Sequence, residues 1–202
     1  MAEMYTTLSD FRSISAMPTR LPGNEQNGGW TPEQATAAFK TLATLLAELW
    51  PSADNRPKII GPDIHGFHND PATSKVDGTK LEYLAEFGET AVKAGVPIHA
   101  LTHHEYIDVP EYPTYPANAS TLDLTRLIAA SVNRTLLTRV TGVQIWAGEI
   151  GPHNGKSPGC DHTSMRWANF GDSFWYLDAM GSKAANGYSV FCRQDFVGID
   201  CE

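Results

Sequence analysis

Two glutamates stand where a carboxylate can do chemistry. Glu25 lies in Leu21-Pro-Gly-Asn-Glu-Gln-Asn27, just ahead of a helical pattern, and Glu149 lies in Ile145-Trp-Ala-Gly-Glu-Ile-Gly151, at the end of an apolar run. Each follows a small residue or Gly-Asn, where the backbone can bend and aim a side chain into a shared mouth. A lone glutamate at such a place usually caps a helix or faces solvent. Two at equivalent ends of parallel strands fit the needs of glycoside hydrolysis. There one carboxyl gives its proton to the leaving oxygen, and the other, ionised, attacks the anomeric carbon or activates water. Trp30, Tyr106 and Trp146 are aromatic residues that could stack on sugar faces.

The seven histidines show no tight ligand spacing. His65, His68, His153 and His162 fall on expected loops, so no metal site is expected. His103 and His104 end an apolar strand. Neighbours on a pleated strand face opposite ways, and His104 is expected to take a structural role. Arg193 and Gln194 end the last apolar run, with Gln194 expected to face the mouth.

Positioning these groups takes an alternation of helices and strands. Thr31 can cap a helix, Pro32 suits its first position and Gln34 completes a capping box. Ala35, Ala38, Phe39, Leu42, Leu45, Leu46 and Leu49 mark one face, and Pro51 stops it. Lys58-Ile-Ile-Gly reads as a short strand ending in a Gly61-Pro62-Asp63 turn. A second helix is expected from about Thr79 to Ala94, with Leu81, Leu84, Ala85 and Val92 inward and Gly95 as its stop. Pro97 to His104 reads as a strand, Leu122 to Arg139 as a helix, and Gly142 to Glu149 as a strand. Arg166 to Met180 reads as a helix carrying Trp167, Phe170, Phe174 and Leu177. Tyr188 to Gln194 is the last strand. This order predicts a parallel α/β architecture with polar residues at the C-terminal strand ends. No G-x-G-x-x-G follows a strand and no P-loop occurs, which excludes the nucleotide-binding motifs. A barrel fits better, although an eight-stranded one usually needs about 250 residues.

Composition agrees with a globular domain: 42% of the 202 residues are hydrophobic and 19% charged, which excludes a disordered chain. A formal net charge of −8 argues against nucleic acid as a partner. No apolar run approaches the roughly 18 residues of a membrane span. The first twenty residues lack a basic segment followed by an apolar one, so no signal peptide is expected in this chain. Cys160, Cys192 and Cys201 are an odd count without metal spacing. No cofactor is expected.

The ordered motifs resemble the heparanase-like glycoside hydrolases (glycoside hydrolase family 79), in particular the plant-type heparanase-like β-glucuronidases. Gly23-Asn24-Glu25 looks like their acid/base motif, and Ile60-Gly61-Pro62-Asp63 is similar to the next strand end. His103-His104-Glu105-Tyr106 looks like a double-histidine strand end, and Trp146-Ala147-Gly148-Glu149 like the nucleophile strand. Asp172 to Asp178 and Val190 to Gln194 with Gly198 are similar to the following helix and last strand. The resemblance implies a (β/α)8 TIM barrel, incomplete here, holding about strands 4 to 8. Residues 1–22 are an unmatched N-terminal segment and residues 23–202 the partial barrel domain. It implies a retaining enzyme acting on glucuronate-containing glycans or glucuronides, with Glu25 as acid/base and Glu149 as nucleophile. Asn24 would bond the sugar 2-hydroxyl, and His103 and Tyr106 would line the sugar subsite. An extracellular, lysosomal, vacuolar or membrane-associated setting follows from the same likeness. A second polypeptide could complete the barrel. A half barrel with open edges also admits a catalytically inactive fragment or a carbohydrate-binding remnant.

Overall fold

The computed structural model describes residues 5–6, 23–67, 76–106, 119–151 and 172–193. Among the described residues five strands form one sheet: β1 (Tyr5–Thr6), β2 (Lys58–Phe67), β3 (Ile98–Tyr106), β4 (Gln144–Gly151) and β5 (Tyr188–Arg193). All neighbours pair in parallel, in the order β1-β2-β3-β4-β5. Four α-helices among the described residues cross between successive strands: α1 (Pro32–Leu49), α2 (Gly78–Lys93), α3 (Ala119–Arg139) and α4 (Asp172–Ala185). The strand order never reverses, so no doubly wound switch point exists among the described strands. Helices pack in sequence, α1 on α2, α2 on α3 and α3 on α4, as crossovers of one hand require. Among the described residues no helix is long and apolar enough to cross a membrane.

Local chemistry sets the helix limits. The Thr31 side chain accepts from Gln34 N while the Gln34 side chain accepts from Thr31 N, the expected capping box. The Asp77 carboxylate accepts from Thr79 N and Lys80 N at the start of α2, and Gly95, at φ +72°, lets the chain leave its end. Phe39 of α1 meets Phe87 of α2 edge-on at 5.1 Å. Arg139 of α3 bonds Glu82 and Glu89 of α2 at 2.7 Å each.

Some apolar positions turn outward. Leu49, Val92, Phe174 and Leu177 are 64%, 51%, 56% and 66% exposed, where their spacing predicts burial. In α4 the buried stripe runs through Trp175 and Ala179 instead; Trp167 and Phe170 lie outside the described residues. The expected turn at Gly61-Pro62-Asp63 is instead the middle of a ten-residue strand. The Gly61–Pro62 peptide is cis. Proline cannot donate to a ladder, and the pairing with β3 shifts register between Gly61 and Ile64.

The sheet divides two apolar clusters. On the helix side lie Ile59, Phe67, Leu101, Ile145, Ala147 and Ile150 with the buried helix residues. On the opposite face Ile60, Ala100 and Trp146 form a second cluster, with Val190 packed against it. The site is built on that opposite face, further along the strands.

Candidate active site

β3 shows the period of two that places its side chains. Ala100 belongs to the cluster away from the helices and Leu101 to the helix-side core. Thr102 Oγ1 then accepts from Asp63 N at 2.9 Å. His103 turns back to the helix side, meeting Phe67 edge-on at 5.0 Å and Tyr188 at 5.6 Å. His104 and Tyr106 face the cleft, while Glu105 reaches Lys183 of α4 at 2.5 Å.

β4 needs one irregularity to bring Glu149 to the same face. Trp146 lies in the inner cluster and Ala147 in the helix-side core. Strict alternation would send Gly148 inward and Glu149 outward. The register instead runs His103↔Ala147 and then His104↔Glu149, so Gly148 is an extra residue opposite the His103–His104 step. Such a bulge re-aims the next side chain. Tyr106 Oη donates to Glu149 Oε1, and His104 Nδ1 lies 3.7 Å from that oxygen. Only a glycine fits the bulge: a Cβ there would sit 2.1 Å from Asp63 Oδ1 and 3.2 Å from the Thr102 Cβ.

Glu25 is held by β2. It adopts φ +58° just before a 3-10 turn, Gln26–Gly28. Its N–H donates to Asp63 O at 2.8 Å, and Asn27 Oδ1 accepts from His65 N at 2.7 Å. Two imidazoles then converge on one carboxylate oxygen: His104 Nδ1 at 2.9 Å and His65 Nδ1 at 3.0 Å from Glu25 Oε1. A cavity of about 550 Å³ adjoins Glu25, with Asn27, His65, Lys80 and Tyr83 on its walls; Glu149 does not line it.

The charges follow from these contacts. Partial burial pushes the Glu25 carboxyl up, but the hydrogen bonds from His65 and His104 outweigh it and hold the group below its ordinary value. Asp63 goes the other way. Burial raises it, and the nearby Glu149 and Glu25 add to the rise against the opposing pull of His104 and Thr102. Its buried Oδ1 has no hydrogen-bond partner among the described residues and lies 3.7 Å from His104 Nε2. Burial, then hydrogen bonding and charge from Glu149, raise Tyr106 far above the ordinary phenol range, so it stays a donor. Glu25, His104 and Glu149 each offer a ligand atom within 4.8 Å of the others, and this is the group that could hold a metal ion among the described residues.

The structure thus brings Glu25, Glu149 and Tyr106 together. It corrects the histidine: His104, not His103, faces the carboxylates. His103 is fully buried behind the strand, because residues 103 and 106 have opposite parity. The Asn24 carbonyl accepts from Gln26 Nε2 at 3.1 Å. Gln194 lies outside the described residues, as do His68, His153, His162, Cys160 and Cys201. Trp146 is 3% exposed and cannot stack on a ligand in the cleft; Trp30 packs against the helix-side core. Asp63 and His65 were hidden by the apparent turn at Pro62. Strand parity carried through Pro62 would send both to the helix side with Ile59; the register shift between Gly61 and Ile64 turns them to the cleft instead, and a single sequence carries no signal of that shift.

No family model matches the chain. It is similar to heparanase-like protein 1 of Arabidopsis thaliana, 39% identical over 67 residues, which are 33% of this chain and 11% of that protein. A glucosidase from Croceicoccus marinus superposes over 86% of this chain and 32% of its own, with a TM-score of 0.53 and 17% identity. A family 44 endoglucanase from Clostridium thermocellum superposes over 92% and 45%, with a TM-score of 0.53 and 12% identity. The chain shares its fold with part of these glycosidases. It spans under half the length of either solved enzyme, and the match to the plant relative spans about a tenth of that protein.

Proposed function

We propose that the chain is a retaining glycoside hydrolase of heparanase-like type, cleaving O-glycosyl bonds of glucuronate-containing glycans. Glu25 serves as acid/base and Glu149 as nucleophile. One observation carries the reading: oxygens of Glu25 and Glu149 lie within 4.8 Å, with His104 between them. That is the close spacing of a retaining pair (about 5–5.5 Å) and not the wider one that leaves room for an inverting water (about 6.5–9.5 Å). The glucuronate preference rests on the heparanase-like motifs and the plant relative. The fold likeness supports a partial TIM-type barrel. Its remaining strands would come from a longer protein or a second polypeptide.

In this reading a Glu149 oxygen attacks the anomeric carbon as the bond to the leaving oxygen breaks, and the protonated Glu25 carboxyl supplies that oxygen's proton. Water then gives a proton to Glu25 and attacks the glycosyl ester, releasing Glu149. The Tyr106 hydroxyl fixes the orientation of Glu149, and the cavity beside Glu25 accommodates the leaving group. The histidine pair keeps Glu25 ionised in the free site. That state suits the base role and requires proton uptake before each acid step. The test is hydrolysis of an aryl β-glucuronide by the purified protein. Turnover that Glu149→Gln abolishes supports the reading. Binding without turnover, or turnover indifferent to Glu149→Gln, overturns it.

A further inference from the structure

Behind the cleft, the helix face of β3 carries an ion pair that the proposed chemistry does not use. Glu105 and Lys183 are both 0% exposed, with Nζ 2.5 Å from Oε2. The other carboxylate oxygen, Oε1, is buried without a partner among the described residues. The Lys183 ammonium also lies over the Tyr188 ring, 5.1 Å from its centroid. Tyr188 Oη in turn lies 2.7 Å from His103 Nε2, and His103 Nδ1 lies 3.1 Å from the His104 carbonyl. A carbonyl only accepts, so the proton is on Nδ1 and the tyrosine donates to Nε2. Lys183, Tyr188, His103 and Glu105 thus grip the back of the strand segment whose front carries His104 and Tyr106.

A buried ion pair is a poor way to gain stability, because desolvation offsets most of the attraction. An apolar pair would fill the same space. What the pair does provide is a choice of face. Glu105 stands between His104 and Tyr106 in the chain, so holding it toward α4 fixes both neighbours toward the cleft. The register beside it is already irregular at the His103–His104 step. A slip of one residue there would exchange His104 and Tyr106 for His103 and Glu105.

We propose that Lys183 is a positioning residue: by bonding Glu105 from α4, it sets the face of β3 and so aims His104 at Glu25 and Tyr106 at Glu149. The kinetic part of the test rests on Glu25 and Glu149 being the catalytic pair; the spectroscopic part does not.

The experiment compares the wild-type protein with Lys183→Met, which leaves the Glu105 carboxylate facing the helix-side core without a counter-charge. Thermal melting reads the fold, and ¹⁵N NMR of the histidine side chains reads the hydrogen bond from His104 Nδ1 to Glu25. The expected result is a folded protein with a lowered melting temperature, its His104 Nδ1 signal displaced to that of a ring without its carboxylate partner. kcat on an aryl β-glucuronide then falls roughly tenfold or more with KM little changed. In E105L/K183M the leucine seeks the same core, and the His104 signal is expected to return to that of wild type. A wild-type His104 signal in folded Lys183→Met overturns the proposal, whatever the activity. An inactive wild-type protein whose Lys183→Met variant still displaces that signal refutes the glucuronidase reading alone. Should Lys183→Met not fold, Lys183→Gln likewise leaves the carboxylate without a counter-charge, and a wild-type His104 signal in that folded variant overturns the proposal as well.

Discussion

Gly148→Ala probes the bulge that turns Glu149 into the cleft. The added Cβ would stand 2.1 Å from Asp63 Oδ1, whereas ordinary contact begins at 3.4 Å. Either the Asp63 carboxyl turns aside or the strand that carries Glu149 yields by roughly 1 Å, and a misplacement of that size at a reacting group costs about a hundredfold in rate. The Asp63 backbone is held, its N–H by Thr102 Oγ1 and its carbonyl by the Glu25 N–H, so on its side only the buried carboxyl is left to move. Overpacking of this kind also costs about 1–3 kcal/mol of stability. The assays are kcat on an aryl β-glucuronide and the urea unfolding midpoint, with Asp63→Ala/Gly148→Ala as the control. The control removes the struck oxygen and is expected to recover the midpoint relative to Gly148→Ala. A Gly148→Ala protein with wild-type kcat and an unshifted midpoint would refute the bulge argument.

Three further outcomes follow from the same structure. In the proposed mechanism the acid step needs a protonated Glu25, which His65 and His104 hold below its ordinary value, so kcat/KM should fall as pH rises above the acidic range. His65→Ala removes one of those donors and should carry that limb toward higher pH; a limb that stays in place counts against Glu25 as the acid. His103 is pulled down to about 3, chiefly by burial and then by the positive charge of Lys183. The folded state therefore keeps it neutral while the unfolded state takes up a proton. Its share of stability is full above the unfolded pKa near 6.5 and drains as pH falls toward 3, on the order of 1 kcal/mol per pH unit. Urea midpoints from pH 7 to 4 should fall less steeply in His103→Gln than in wild type, and parallel slopes would contradict this. Finally, Phe39, 2% exposed and set against Phe87, should cost about 3–5 kcal/mol when cut to alanine, read by the same unfolding assay.

Much of the architecture was legible in the residues. Thr31-Pro-Glu-Gln fixed the start of α1 because its capping chemistry is local, and the alternation of apolar runs with helical stripes predicted the parallel strands. The carboxylate pair was legible because each glutamate ends a segment rich in Gly, Asn or Ala. The rest depends on parity and on neighbours across the sheet. His103 and Tyr106 stand three positions apart, and a regular strand sends them to opposite faces. Pro62 disguised a strand as a turn and with it hid Asp63 and His65. The extra residue at Gly148 has no signature in a single chain, since its need for glycine comes from Asp63 and Thr102 across the sheet. Leu49, Val92, Phe174 and Leu177 keep helical spacing yet face outward, because helix rotation is set by the packing partner and not by periodicity alone.

In the proposed mechanism Glu149 forms a covalent glycosyl ester while Glu25 handles the proton. Its most direct test is trapping with a 2-deoxy-2-fluoro-glucuronide carrying an activated leaving group, followed by intact-mass analysis and peptide mapping. The expected result is one added glycosyl unit, located on the peptide that carries Glu149 and absent from Glu149→Gln. A protein that hydrolyses glucuronides yet shows no adduct, or carries it on another residue, would contradict it.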